Sequence, residues 1–265
     1  MCLVALALGA HPEIPFICLS NRDEFHDRPT EPLNLRNNWG SRAAYAGLDL
    51  KGGGTWLALS EDGRFALLTN VRNAALNKPE PAPSRGLLVK AALDGTLEQT
   101  DNWADYSGFN LLHGNIGTQQ FSVLTNQRMS SAQREPDIHV LKGPIHGLSN
   151  ADMDADWPKT RHLKERLKQL LLTMPVNPVD ELIEAQGLSL LSDTTTAPDS
   201  ELPNTGVPYD WEKRLSAIKI VSPLYGTRSS TVVWMTAAGK VSIRETSFGP
   251  DGQTTGTRCF SFYTS

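Results

Sequence analysis

The sequence predicts an α+β fold with antiparallel sheets, and three observations lead to that prediction. Short apolar runs bounded by turn residues, which are typical of β-strands, occupy both ends of the chain. A segment with the 3.6-residue periodicity of helices lies between them, near residues 158–191. No internal repeat or low-complexity linker divides the 265 residues. We therefore expect residues 1–265 to form a single domain with helices packed on antiparallel sheets.

The first half of the chain is predicted to be rich in hairpins. The turn His11-Pro12-Glu13 joins the first two apolar runs, and Asp62-Gly63, a strong hairpin signal, joins the next two. Residues 21 to about 38 are polar without clear periodicity, and no element is predicted for them beyond the end of the second strand. Ser84 is predicted to cap a short helix that ends before Gly95. The predicted strands of this half cover residues 2–9, 14–20, 55–60 and 65–70.

The second half is predicted to hold two helices between further strands. Leu163, Leu167 and Leu171 recur at helical spacing in a helix over 158–174, which begins at a proline, and a second helix follows at 179–191. Residues 193–210 are polar and proline-rich, so they predict a surface loop that covers a cleft. The remaining strands are predicted at 109–112, 120–125, 138–142, 145–149, 217–221, 230–235, 241–246 and 258–262.

The composition and the net charge of the chain speak against several classes of function. A net charge of −4 without any basic run speaks against nucleic-acid binding. No segment has the roughly 20 apolar residues of a membrane span, and the N-terminus lacks the basic flank of a secretory signal. Three widely spaced cysteines favour a reducing, cytoplasmic location, and six histidines without paired spacing favour no metal site. Composition gives no indication of oligomeric state.

Cys2 is the first candidate for chemistry. Removal of Met1, expected when residue 2 is small, would give a cysteine that carries its own free α-amine. An amine with a pKa of about 8 can accept the thiol proton and later return it to a leaving group. The alternative is that Cys2 is only the first apolar residue of a strand.

Asn21-Arg22-Asp23-Glu24 strengthens the first interpretation. A hairpin with its turn near residue 12 returns residues 21–22 to the side of Cys2. A cation at that place favours thiolate over thiol, and a carboxylate could hold the terminal ammonium or orient Arg22. The alternative is a surface salt bridge. Asn70 and Asn150 end apolar runs; an asparagine amide can stabilise an oxyanion, although turn or capping roles are equally compatible.

These residues belong to a series of ordered blocks that resembles the NRDE family, that of the transport and Golgi organisation protein 2. One departure is Leu48, where the family pattern has arginine, so a cation is missing there. The blocks cover nearly the whole chain: Cys2, Asn21–Glu24 with Arg28-Pro29, Gly53–Leu57, Leu68–Arg72, Ser84–Gly86, Gly108–Leu111, His146–Asn150, Trp157–Lys159 and Tyr225–Arg228.

The resemblance implies a branch of the N-terminal-nucleophile hydrolases, whose fold is a four-layer αββα sandwich. By similarity to the cysteine members, Cys2 attacks with Arg22 and Asp23 beside it. Asn70 and Asn150 are implied as oxyanion-hole donors, and Arg228 as a buried cation that completes the site. The resemblance implies no resident cofactor or metal. Links of the family with Golgi and lipid homeostasis and with haem leave haem open as a carried ligand.

Three functions stay open at this point. The first is an amidohydrolase, or thioester hydrolase, that acts on a small molecule through an acyl-Cys2 intermediate. The second is a carrier or trafficking protein for a hydrophobic ligand such as haem or an acyl-CoA. The third is a structural role that retains a relic pocket. Fold kinship alone does not decide between them.

Overall fold

A computed structural model describes residues 2–37, 40–79, 81–129 and 135–264, and these fall into two compact units. The first unit contains the described chain up to Asp27, Gly143–Ser149 and Met153–Tyr263. The second contains Arg28–Lys142 and Asn150–Asp152. Each unit holds one antiparallel sheet with helices packed on it. The described residues thus confirm the predicted α+β class and supply the two sheets and two helical layers of the αββα type.

The strands and helices alternate in blocks along the chain. The strands are β1 (Cys2–His11), β2 (Ile14–Phe25), β3 (Thr30–Arg36), β4 (Ala44–Asp49), β5 (Leu57–Leu59), β6 (Arg64–Asn70), β7 (Phe109–Asn115), β8 (Gln120–Thr125), β9 (Asp137–Val140), β10 (Ile145–Leu148), β11 (Tyr225–Met235), β12 (Lys240–Phe248) and β13 (Thr254–Tyr263). The helices are α1 (Gly86–Asp94), α2 (Pro158–Thr173), α3 (Asp180–Leu191) and α4 (Tyr209–Leu215).

The first unit is built on a six-stranded sheet with the order β10-β1-β2-β11-β12-β13. Side chains alternate between the two faces of each strand, so one face of β1, β2 and β11 presents Leu3, Leu19 and Val232. The leucine stripe of α2 and the apolar side of α3 pack on that face. Burial of this apolar surface is the main force that holds the helices against the sheet.

The second unit has a seven-stranded sheet in which β3 to β9 follow one another in chain order. Helix α1 packs on β5, β6 and β7 and buries Leu88, Val89 and Leu93 against the sheet. Gly95 ends α1 with φ at 72°, a left-handed conformation that favours glycine, as predicted. Ser84 makes no capping contact, because the helix begins after Arg85, whose side chain does not cap it.

Two sequence predictions about secondary structure are wrong. Residues 217–221 form no strand. The loop predicted at 193–210 gives way to helix α4 at Tyr209, which was not predicted.

The polar stretch from residue 21, for which no further element was predicted, contains strands. β2 continues to Phe25, and β3 follows from Thr30. The pattern of apolar residues does not indicate this stretch, because Asn21, Arg22 and Asp23 are buried in spite of their polarity. Residue 38, near which the polar stretch ends, lies outside the described residues.

None of the helices in the described residues combines the length and the apolar character needed to cross a membrane.

Candidate active site

The hairpin of β1 and β2 places Cys2 directly opposite Arg22. Pairing begins at His11 and Ile14, beside the predicted turn, and continues to the Cys2–Arg22 pair. Residues opposite each other in an antiparallel pair lie on the same face, with Cβ atoms about 5 Å apart. The sequence-based prediction that the Asn21–Glu24 segment returns to Cys2 is therefore confirmed at the level of register.

The Cys2 sulfur is buried, and charges of both signs act on it. The residue is 5% exposed, and burial, the largest influence, raises the pKa of its thiol. The carboxylate of Asp23 raises this pKa further, the positive charge of Arg22 lowers it, and Glu24 raises it. Arg22 thus acts in the predicted direction, but burial outweighs it. Burial favours the neutral thiol, because a thiolate loses its hydration there.

Strand β10 holds β1 from the other side. Val4 pairs with Leu148, and the hydroxyl of the next residue, Ser149, donates to the carbonyl oxygen of Cys2 at 3.3 Å. This hydrogen bond ties the backbone of the candidate nucleophile to the end of β10. The position of Cys2 therefore depends on β10 as well as on its partner strand β2.

A charged cluster fixes β10 in turn. His146 Nδ1 lies 2.8 Å from Asp154 Oδ2, and His146 Nε2 lies 3.1 Å from the carbonyl oxygen of Gly143. The other oxygen of Asp154 accepts from the backbone N–H of Gly147 at 2.9 Å and from Lys164. Burial would raise the pKa of Asp154, but the hydrogen bonds from His146, Lys164 and Gly147 lower it to about 2. The cluster gives His146 a structural role.

Asp23 is fixed between β2 and β11. Its side chain is fully buried, and Oδ1 accepts a hydrogen bond from Thr227 Oγ1 at 2.7 Å. The same Thr227 oxygen accepts from the backbone N–H of Ile220 at 2.9 Å. Tyr225 donates its hydroxyl to the carbonyl oxygen of Asp23 at 3.2 Å. These contacts fix the carboxylate that acts on the pKa of Cys2.

A β-bulge in β11 presents Arg228 next to Arg22. Thr227 pairs with Asp23 and Ser229 pairs with Arg22, so Arg228 is the extra residue of the bulge. Its Nη1 donates to the carbonyl oxygen of Phe25 at 2.8 Å. Burial lowers the pKa of Arg228, and so does the positive charge of Arg22, while Glu24 and Asp27 act in the opposite direction. Arg228 is half-buried rather than fully buried as the resemblance implied.

Asn70 and Asn150 lie together in the second unit. Asn150 Nδ2 donates to the carbonyl oxygen of Asn70 at 2.9 Å, and the carbonyl oxygen of Asn150 accepts from the N–H of Arg72 at 2.7 Å. One side-chain N–H of Asn150 is thus engaged with the protein backbone. It is the backbone of Asn70, rather than its side chain, that makes this contact.

The structure brings the predicted residues together in two groups. Cys2, Arg22, Asp23 and Arg228 meet in the first unit, whereas the two asparagines meet in the second. The contacts of Ser149 and Thr227 and the pairing of Ser229 with Arg22 were not predicted from the sequence. Ser149 and Thr227 lie within recognised blocks, which was the available signal; Ser229 lies just after one, and only the bulge reveals its alignment with Arg22.

A separate concavity of about 450 Å³ lies in the first unit. Its wall includes residues from the start of α2 and from the segment 193–198, in the loop that was predicted to cover a cleft. Arg161 at its rim pairs with Asp156 and Glu201, and Asp193 pairs with Arg166. These charges are already compensated within the protein.

The other two cysteines differ sharply in access. Cys18 is fully buried, and burial strongly raises the pKa of its thiol, which disfavours reaction with solvent-borne reagents. Cys259 is exposed on the outermost strand β13, and both cysteines are free thiols. Across the described segments, no group of three or more His, Cys, Asp or Glu side chains is placed to hold a metal ion.

Comparison with known proteins gives a family match. The family model described as "Transport and Golgi organisation 2" matches residues 1–250. The transport and Golgi organization protein 2 homolog of Bos taurus is 31% identical over 265 residues, which cover 93% of each chain.

Two solved structures are similar at lower identity. A variant of the conjugated bile acid hydrolase from Clostridium perfringens is 11% identical with a TM-score of 0.47, and the match covers 99% of this chain and 98% of that one. The Caenorhabditis elegans ortholog of N-acylethanolamine-hydrolyzing acid amidase is 13% identical with a TM-score of 0.43, covering 87% and 92%.

Proposed function

The chain belongs to the transport and Golgi organisation 2 family, and from this premise we propose that it is an N-terminal-nucleophile hydrolase. The proposed reaction is cleavage of a C–N amide, or of a thioester, in a small molecule, with Cys2 as nucleophile after removal of Met1. The observation that carries the proposal is the direct cross-strand pairing of Cys2 with Arg22 at the N-terminal end of β1. The buried carboxylate of Asp23 and the cation of Arg228 act on the same group of residues.

The protonation state of Cys2 determines the order of the proposed steps. Burial raises the pKa of the thiol, so a base takes the proton as the sulfur attacks, and we assign that role to the α-amine of Cys2 itself. The sulfur forms a bond to the carbonyl carbon of the substrate, and the ammonium then returns the proton to the departing nitrogen. Water cleaves the resulting thioester and regenerates the thiol. Arg22 stabilises negative charge on the sulfur during the attack.

Asn70 and Asn150 are candidates for the oxyanion hole on the family resemblance alone. Substitution of each by alanine tests this role. A donor to the oxyanion contributes about 10²–10³ in kcat, with little effect on substrate binding. A change confined to KM, or an unchanged rate, would remove that residue from the proposed mechanism.

The function is tested by labelling with a reagent that acylates cysteine. Cys259 is exposed and will react with most thiol reagents, so the experiment needs a Cys259→Ser background. We expect one adduct, at Cys2, on a chain whose mass shows loss of Met1. An adduct on Cys18, or a labelled chain that still carries Met1, would contradict the free-amine mechanism.

We propose as the alternative a carrier of a hydrophobic ligand such as haem or an acyl-CoA. One observation favours it: the thiol pKa of Cys2 is raised, as expected for a residue that only fills space. Carrier function predicts saturable binding of haem or acyl-CoA that survives Cys2→Ala. Turnover of an amide by the wild-type protein that disappears in Cys2→Ala would exclude a purely passive carrier.

We further propose that the chain works as one cytoplasmic domain. The segments of the first unit both precede and follow those of the second in the chain, so neither unit is a continuous stretch of sequence. The three cysteines are free thiols, which fits a reducing compartment. Fractionation of cells that express a tagged full-length chain tests the location.

A further inference from the structure

Strand β13 leaves one edge of the six-stranded sheet open. It is the last strand of the order β10-β1-β2-β11-β12-β13, so it pairs with β12 on one side, and no strand of the described segments pairs with its other side. All residues from Thr254 to Cys259 are exposed. An edge of this kind presents backbone N–H and C=O groups on which a further strand can pair.

The other edge strands of the two sheets are protected in the ways that proteins normally use. Short length, proline and charged side chains all discourage edge-to-edge pairing. β9 and β10 have only four residues each, and β3 carries Pro32 together with Glu31 and Arg36. In contrast, β13 has ten residues without proline, lysine or an acidic side chain, and Arg258 is its one charge. Of these edges, β13 is therefore the best suited to pairing with another chain.

The position of the single charge selects a register for pairing with a second copy. Two copies related by a two-fold axis pair antiparallel, and one residue then lies opposite itself at the axis. The middle of β13 falls between Arg258 and Cys259, so these two residues give the longest overlap. Arg258 at the axis would place like charges directly opposite each other, which is destabilising. Cys259 at the axis avoids this and places Arg258 opposite Phe260 of the second copy, where the cation can contact the ring.

The register centred on Cys259 also matches neighbouring side chains. Thr257 lies opposite Ser261 of the second copy, and a pair of hydroxyl side chains stabilises an antiparallel ladder. Gly256 leaves open space, since no atom lies within 4 Å of where its Cβ would be. Phe262 of the second copy faces this space, and an aromatic ring opposite an edge glycine compensates for the missing side chain.

We propose that β13 is the interface of a homodimer, in which two copies of the strand pair antiparallel about Cys259 and join their six-stranded sheets into one continuous sheet. The inference does not depend on the chemistry proposed at Cys2, because β1 lies near the opposite edge of the sheet. At the axis the two Cys259 Cα atoms lie about 4.5–5.5 Å apart. A disulfide spans such a distance without movement of the backbone.

Analytical ultracentrifugation of the reduced full chain tests the dimer. We expect twice the mass of one chain at about 100 µM, with dissociation on dilution. Cys259→Glu should raise the dissociation constant at least about tenfold, because two carboxylates meet at the axis. Within one chain the same carboxylate faces Arg244 of β12, so the fold tolerates it.

Cys259→Gln is the matched control, because it has the size of Cys259→Glu without the charge. It should leave the dissociation constant within about twofold of the wild-type value. A chain that stays monomeric up to about 100 µM would overturn the proposal. Equal dissociation constants for the two variants would overturn it as well, since the dimer would then use another surface.

Oxidation with diamide, which accepts the two hydrogen atoms that a pair of thiols loses, tests the register. The wild-type dimer should become disulfide-linked, and Cys259→Ser should not. In the Cys259→Ser background, chains with Thr257→Cys and chains with Ser261→Cys should crosslink to each other but not to themselves, because these positions face each other across the axis. A wild-type dimer that forms no disulfide, or equal crosslinking within and between the two variants, would refute the proposed pairing.

Discussion

The two faces of the sheet in the first unit differ in the hydrogen bonding of their buried polar side chains. On the helix-covered face, polar Asn21 is satisfied by the carbonyl oxygens of Leu191 and Ile218 and by the hydroxyl of Ser230. On the face that carries Cys2, the equally buried Ser229 has no hydrogen-bond partner among the described residues. Asn21 is thus satisfied within the protein, whereas the Ser229 hydroxyl is not.

This difference indicates which residues of the sheet have a functional role. Natural proteins keep local choices consistent with the fold and violate them mainly at functional sites. The violations here are a bulge that places Arg228 beside Arg22, a desolvated thiol at Cys2 and an unpaired hydroxyl at Ser229. All three lie along one cross-strand row. Substitutions on the two faces should accordingly affect different quantities, stability on one and chemistry on the other.

The largest effect is expected from the nucleophile. Cys2→Ala should lower amide hydrolysis by about a thousandfold or more, because the covalent route is lost, while the denaturation midpoint stays nearly unchanged. Steady-state kinetics with an amide such as N-decanoylglycine measures the first quantity, and thermal unfolding the second. Cys259→Ser is the matched control and should retain full activity. Substantial amide hydrolysis by Cys2→Ala would contradict the assignment of the chemistry to the face that carries Cys2.

Asn21→Ala probes the structural face. It removes three buried hydrogen bonds and should lower the free energy of unfolding by about 3 kcal/mol. Urea titration followed by circular dichroism measures this change. Asn177, which is exposed, provides the control, and Asn177→Ala should change stability by less than about 0.5 kcal/mol. Similar stabilities for the two variants would show that Asn21 does not anchor α3 to the sheet.

The pH dependence of thiol labelling tests whether the pKa of the Cys2 thiol is raised. Because burial raises the thiol pKa, the rate with iodoacetamide in Cys259→Ser should rise roughly tenfold per pH unit from pH 6.5 to 8.5 without a plateau. Arg22→Gln should slow labelling about tenfold at each pH, and Arg22→Lys should restore most of the rate. A plateau below pH 7 would indicate a resting thiolate instead.

The smallest effect concerns the cluster at the edge of the same sheet. The pKa of Asp154 is lowered to about 2 in the folded protein, so its carboxylate stabilises the fold above pH 4, and this contribution disappears as the pH falls towards 2. The side chain is about one-third exposed, so Asp154→Asn should cost only about 1 kcal/mol at pH 7. Urea titrations at pH 7 and pH 2.5 measure the difference, which should shrink at the lower pH. An equal cost at both pH values would mean that the charge contributes nothing.

Elements with strong periodicity were predictable from the sequence. The leucine stripe of α2 and the turn at Pro12-Glu13 led to correct elements, and the turn also led to the Cys2–Arg22 register. Both signals are local, because a helical stripe or a short turn determines geometry within a few residues. The α+β class followed from the same signals.

The polar end of β2 and the bulge in β11 could not be predicted from local sequence patterns. The end of β2 contains buried Asn21, Arg22 and Asp23. The hydrogen-bond partners of Asn21 and Asp23 lie in segments far along the chain, so no pattern within the strand identifies these residues. Whether Arg228 and Ser229 share one opposing residue depends on the pairing of β11 with β2. The burial that raises the pKa of the Cys2 thiol likewise depends on tertiary packing rather than on neighbours in sequence.

Intact-mass analysis of the Cys259→Ser protein, before and after reaction with an acylating probe, tests the central claim most directly. We predict a chain without Met1 that gains a single acyl group on Cys2, and loss of that adduct in Cys2→Ala. A chain that keeps Met1 and still hydrolyses the probe would contradict the mechanism, and so would an acyl group that persists after Cys2→Ala.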